Sequence, residues 1–170
     1  YAGAHGLSND LSVVLEAAAQ TRDRGDIVFV FVGDGKEKPA LVQQAEALRL
    51  DNVLFVPSVP KNEIAEVLAA ADACIAILKP LKMYQTTYPN KVFDYMAAGR
   101  AVLLVIDGVI REVVEEAGCG IAVPPGNPRE LAAAVIALAD QPEVSQAMGS
   151  AGRKAIEDKY QRQIFSDQFA

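Results

Sequence analysis

The chain has 170 residues, 51% of them apolar and 22% charged, with a formal net charge of −6. This is the composition of a globular domain that buries roughly 70% of its unfolded surface without disulfides or structural metal, and it excludes disordered and fibrous chains. The acidic balance argues against a domain that holds nucleic acid by neutralising phosphates.

Elements alternate along the chain. Leu11 to Ala19 carries helical spacing behind the candidate caps Ser8, Asn9 and Asp10, and Ile27 to Val32 (IVFVFV) is a continuous run that predicts a buried strand. After Gly33-Asp34-Gly35, Lys38 to Leu50 returns to helical spacing and Asn52 to Val56 predicts a short strand. Helix is then expected over Lys61 to Ala71, strand over Ala73 to Leu78, a short helix over Asn90 to Ala98 closed by Gly99, and strand over Ala101 to Ile106. Ile110 to Ala117 reads as helix and Ile121 to Val123 as strand, while Asn127-Pro128-Arg129-Glu130 is a helix start in which Asn127 caps and Glu130 completes a capping box. A last polar helix begins at Gln141-Pro142-Glu143 and runs toward Lys159. Strands that are apolar throughout, separated by helices, predict a doubly wound α/β fold with a Rossmann-like parallel sheet, here as one domain over residues 1–170.

Cys74 and Cys119 form no CxxC pair and read as reduced packing residues. The longest apolar runs fall short of the ~20 residues that span a bilayer and no signal peptide opens the chain, so a cytoplasmic location is expected. Tyr1-Ala2-Gly3 reads as the end of a strand, which suggests a fragment of a longer protein.

In a doubly wound sheet ligands collect beyond the carboxyl ends of the strands, and four stretches lie there. In Gly3-Ala4-His5-Gly6-Leu7-Ser8-Asn9, backbone N–H groups and a helix start could meet a phosphate, or the glycines could serve only the turn. His5 is the single histidine; it is either solvated or a donor to a phosphate or sugar hydroxyl. In Gly33-Asp34-Gly35 the glycines permit close approach, and Asp34 could simply cap the next helix. The third stretch, Val56-Pro57-Ser58-Val59-Pro60, offers backbone groups to the edge of a planar base.

The fourth stretch, Thr86 to Gly99 (TTYPNKVFDYMAAG), carries the most chemistry. Pro89 suits the first helical turn, so Asn90 and Lys91 stand at the positive end of a helix where an anion meets free N–H groups and a Lys charge together. Asp94, about one turn later, could accept hydrogen bonds from the two hydroxyls of a ribose. The plain alternative is a surface Lys–Asp pair. No His/Cys/Asp/Glu spacing suggests a metal site.

The order GDG, NVLFVPSVP, AADACIAIL, PNKVFDYMAAGRAVL and GVIREVVEEAGCGIAVPPGNPRELAAAV resembles the C-terminal, nucleotide-sugar-binding half of GT-B glycosyltransferases of family 4. The PNKVFDYMAAG helix and HGLSNDL are similar to those of bacterial surface-polysaccharide enzymes that use UDP-linked N-acetylated sugars. The resemblance implies that Asp94 binds ribose and that Gly3, His5, Gly6, Asn90 and Lys91 surround the diphosphate. Ser58 and Val59 would then lie near the base, and Thr86, Thr87 and Glu112 near the sugar. Thr86 stands where the family has Glu, Ala101 where it commonly has Pro, and the first loop lacks its basic residues, with Lys91 the candidate substitute.

The resemblance further implies transfer of a sugar with retention of configuration, without a metal cofactor. The acceptor, a glycan or polyprenyl-linked sugar, would be bound by an N-terminal domain outside this chain, and membrane association would be peripheral. Two other readings stand beside it. An NAD-dependent dehydrogenase domain would require GxGxxG after the first strand, which is absent. A non-catalytic α/β interaction or nucleotide-binding module would fit the acidic surface and the missing Glu.

Overall fold

The computed structural model describes the backbone of residues 1–168 and the side chains of residues 1–159. Among the described residues, five strands are all paired in parallel. Strand β1 (Phe29–Val32) pairs with β2 (Val53–Val56), with Val30 opposite Leu54. Strand β4 (Ala101–Val105) lies between β3 (Ala73–Ile77) and β5 (Gly120–Ala122). Tyr1 to Gly3 lies along the free edge of β1: Val32 N–H donates to the Tyr1 carbonyl at 2.8 Å and Gly3 N–H to the Val32 carbonyl at 2.9 Å. The Tyr95 hydroxyl, 3.3 Å from the carbonyl oxygens of both Ala2 and Ile75, links this segment to β3.

The helices are α1 (Leu11–Gln20), α2 (Lys38–Ala47), α3 (Ile64–Ala69), α4 (Asn90–Ala97), α5 (Val109–Ala117), α6 (Pro128–Asp140) and α7 (Pro142–Gln168). They cover both faces of the sheet at β3 and β4, where side chains alternate along each strand. Ile75, Ile77, Leu103 and Val105 enter a core with α1, α2 and α6; Cys74, Ala76, Val102 and Leu104 enter a second core with α3, α4, α5 and α7. The doubly wound α/β expectation therefore holds.

β1 departs from it. Phe29 and Phe31 are buried, but Val30 is 38% exposed, its partner Leu54 53% and Val28 55%. The second core takes its strand residues from β3 and β4, and among the described side chains it takes in none of Val28, Val30 and Leu54. A run of apolar residues thus did not mean burial on both sides.

Local chemistry accounts for several ends. Asn127 Oδ1 accepts from Glu130 N–H at 3.0 Å and starts α6 as expected. Gly99, with φ +68°, ends α4 in the left-handed region that favours glycine. The capping expectations for the first two helices are corrected. Asp10 has a left-handed backbone and makes no capping bond, while Asn9 Nδ2 donates to the Ala4 carbonyl at 2.9 Å. Asp34 Oδ1 accepts from its neighbour Gly35 N–H at 3.0 Å, and Glu37 flanks α2 instead. Cys74 and Cys119 are buried free thiols whose pKa values burial pushes up, that of Cys74 to about 11, in keeping with packing residues. No helix among the described residues is long and apolar enough to cross a membrane.

Candidate functional site

At the carboxyl ends of the strands two glycine loops lock together through their backbones. His5 N–H donates to the Asp34 carbonyl at 2.8 Å, and Glu37 N–H donates to the His5 carbonyl at 3.0 Å. A Cβ on Gly33 would overlap the Gly3 carbonyl oxygen, and one on Gly35 the His5 carbonyl. Lys38 Nζ ties the end of β1 to the start of α2 by donating to the Gly33 carbonyl at 2.8 Å. The loops enclose one side of a cavity of about 260 Å³ lined by Gly3, Ala4, Gly33, Asp34, Ser58 and Val59. Gly3, Ser58 and Val59, chosen from separate stretches of sequence, therefore meet in one place.

His5 is neither solvated nor at the cavity wall. Its ring is fully buried, edge-on to Phe31 (6.2 Å between centroids) and Phe55 (6.4 Å), with Tyr1 at 6.0 Å. Neither ring nitrogen has a hydrogen-bond partner. Burial lowers its pKa, aided by the positive charge of Lys38, so the neutral imidazole packs as an aromatic wedge beneath the glycine turn. The expectation of a side-chain donor to phosphate is thereby corrected; what His5 presents to the opposite loop is its backbone. Gly6 opens the single 3₁₀ turn Leu7–Asn9 that precedes α1.

Lys91 joins the site from the first turn of α4. Its Nζ donates to the Tyr1 phenol oxygen at 2.8 Å, lies 4.2 Å from the Tyr1 ring centroid, and sits 3.1 Å from where a Cβ on Gly3 would be. Burial lowers its pKa to about 8. Asn90, on the same turn, is exposed. Asp94 is exposed on α4, and no ion pair joins it to Lys91. The plain surface-pair alternative therefore fails: Lys91 turns to the first loop, and among the described residues no ion pair involves Asp94.

Asn90, Lys91 and Asp94 do not line the cavity itself, and neither do the remaining candidates. Thr86 is exposed at the end of the 3₁₀ turn Lys82–Thr86, and Thr87 Oγ1 donates to the Tyr84 carbonyl at 2.8 Å, closing that turn. Their loop rests on the one after β4, where a Cβ on Gly108 would overlap the Gln85 carbonyl oxygen. A small cavity of about 40 Å³ lies there, lined by Lys79, Tyr84, Gln85, Asp107 and Pro125. Glu112 is exposed in the first turn of α5 and lines neither cavity. Among the described residues there is no cluster of three or more His, Cys, Asp or Glu able to hold a metal ion. Sequence reasoning missed Tyr1 and Lys38; the signal for Tyr1 was its place two residues before the glycine turn, at a strand's carboxyl end.

Parallel strands flanked by helices, with a glycine-lined cavity beyond their carboxyl ends, define a Rossmann-like α/β domain. Residues 1–141 match the family described as glycosyl transferases group 1, and the chain belongs to that family. It is 25% identical over 171 residues to the alpha-D-kanosaminyltransferase of Streptomyces kanamyceticus, covering all of this chain and 43% of that protein. The chain thus spans less than half the length of that relative. Among solved structures, Anabaena Alr3699/HepE in complex with UDP superposes with a TM-score of 0.83 at 19% identity, over 98% of this chain and 47% of that one. The C-terminal domain of the group 1 glycosyl transferase LpcC from Francisella tularensis superposes with a TM-score of 0.79 at 20% identity, over 93% of this chain and 83% of that one. These likenesses give the chain the Rossmann-like fold of GT-B glycosyltransferases.

Proposed function

We propose that this chain is the nucleotide-sugar-binding part of a glycosyltransferase and that its nucleotide is UDP. The observation that carries the reading is the placing of the Lys91 ammonium at the Gly3 turn, beside a cavity whose other side is Ser58 and Val59. The diphosphate would lie against the Gly3–Gly6 backbone, the α4 N–H groups around Asn90 and the Lys91 charge. Uracil would lie toward Ser58 and Val59, and the ribose hydroxyls would reach Asp94. When the bond from sugar C1 to the diphosphate oxygen breaks, that oxygen keeps the electron pair, the acceptor hydroxyl oxygen forms the new bond to C1, and the hydroxyl proton passes to the departing diphosphate. Lys91 and the helix start oppose the charge gathering on the departing UDP. These groups supply the neutralisation, so UDP is expected to bind without a divalent metal.

Further features of the reading rest on the resemblance: retention of configuration, an N-acetylated sugar, and a glycan or polyprenyl-linked acceptor of surface polysaccharide synthesis. The acceptor would be held by an N-terminal domain, the whole acting in the cytoplasm with peripheral membrane contact, and Thr86, Thr87 and Glu112 would stand on the sugar side. The kanosaminyltransferase relative supports a sugar transferase, and the UDP bound to Alr3699/HepE supports the choice of nucleotide.

A thermal-shift titration with UDP, GDP, ADP and NAD, with and without Mg²⁺, tests the reading. Ligand at one hundred times its dissociation constant adds roughly 2.7 kcal/mol of stability. Selective stabilisation by UDP without metal is the expected result; no response to any nucleotide would favour the non-catalytic module.

A further inference from the structure

The environment of Lys91 contains an asymmetry that assigns a task to Tyr1. A phenol has one proton to give, and the Tyr1 hydroxyl gives it to the Ala4 carbonyl at 2.7 Å. Toward Lys91 it therefore presents a lone pair, at 2.8 Å, while the face of its ring lies beneath the same ammonium. Both contacts favour the charged amine. Neither cancels the charge, as a carboxylate would, and among the described residues no carboxylate pairs with Lys91. Gly3 completes the arrangement, since a Cβ there would stand 3.1 Å from Lys91 Nζ and 3.3 Å from the Tyr1 oxygen.

We propose that Tyr1 is a positioning residue for Lys91: its phenol oxygen, anchored by Ala4, holds the ammonium at the Gly3 turn with its positive charge free for the diphosphate of a nucleotide. This rests on the reading of Lys91 given above. Ala4 lines the cavity and Tyr1 bonds to its carbonyl, so the same hydroxyl couples the shape of the first loop to the position of the charge. Tyr1 itself needs no contact with the ligand.

The test measures UDP and uridine affinities calorimetrically for the wild type, Tyr1→Phe and Lys91→Met, and follows the Lys91 side-chain nitrogen by NMR through a pH titration. Observing that nitrogen directly separates Lys91 from His5, which titrates nearby. Tyr1→Phe keeps the ring and removes one oxygen, so its fold is expected to survive. It should weaken UDP roughly tenfold, the scale of one hydrogen bond to a charged group, and leave uridine unchanged. Without its acceptor the Lys91 ammonium should titrate at lower pH than in the wild type, a change that the NMR titration reads without any ligand. If Tyr1→Phe binds UDP as the wild type does, or its Lys91 titrates unchanged, the positioning role is overturned while a loss in Lys91→Met keeps the diphosphate reading. If Lys91→Met also retains UDP affinity, or the wild type binds no UDP, both fall together.

Discussion

The carbonyl of Gly3 occupies the space that a side chain on Gly33 would require. Gly33 also has φ +145°, so both its backbone angle and its neighbour exclude a Cβ. Gly33→Ala is expected to push the first loop off the end of β1, costing about 2–4 kcal/mol and abolishing UDP binding. Gly118→Ala is the reference: its φ is +60° but nothing lies within 4 Å of the added atom, so only the backbone cost of about 1 kcal/mol should appear. Urea unfolding of the two variants measures the difference.

Lys91 links stability to pH. Its pKa falls from 10.5 to about 8 through burial, so below about 8 the folded chain retains an unfavourable buried charge. Between the two values the folded state releases a proton that the unfolded state keeps, and stability from this group rises with pH. Lys91→Met is therefore expected to be more stable than the wild type at neutral pH. The advantage should shrink as pH climbs through the folded-state value toward the unfolded one; an advantage independent of pH in paired denaturation curves would contradict the assignment.

Asp94→Ala should lower the affinity for UDP and for uridine by the same factor, since both ligands carry the ribose. A loss of about tenfold corresponds to the hydrogen bonds a single carboxylate makes to hydroxyls. Lys91→Met should lower only the UDP affinity. Titrating both ligands into both variants separates the two ends of the nucleotide, and matching losses in Lys91→Met would contradict its pairing with the diphosphate.

Val30→Thr and Leu54→Thr, at exposed positions of β1 and β2, should change stability by no more than about 0.5 kcal/mol. Leu104→Ala, in the second core, should cost about 2–5 kcal/mol. Thermal melts of the three variants would test whether the apolar face is free of packing in solution.

Much of the fold was legible because its signals are local. Asn127 and Pro128 start a helix by chemistry contained within one turn, and the strands announce themselves as short apolar runs. The site was legible in part, for Gly3, Ser58 and Val59 line one cavity and Lys91 reaches the Gly3 turn from 88 positions along the chain. What escaped depended on tertiary neighbours. Whether His5 meets water or Phe31 and Phe55 is decided by β1 and β2, not by the glycines around it. Asp34 had the composition of a cap but faces its own neighbour, and Val30 belongs to an apolar run yet stays partly exposed. Tyr1 gained its meaning only when α4 brought Lys91 to its hydroxyl.

The strict alternation along β3 and β4 makes the sheet a partition between two chambers of side chains. Repacking in one chamber meets mainly backbone at the boundary, so substitutions well apart on opposite sides should add in free energy. The chamber holding α4 can then be retuned, and with it the angle at which Lys91 is delivered, while α1, α2 and α6 keep their own fit. A family built on this partition has room to alter what it grips without redesigning what holds it upright.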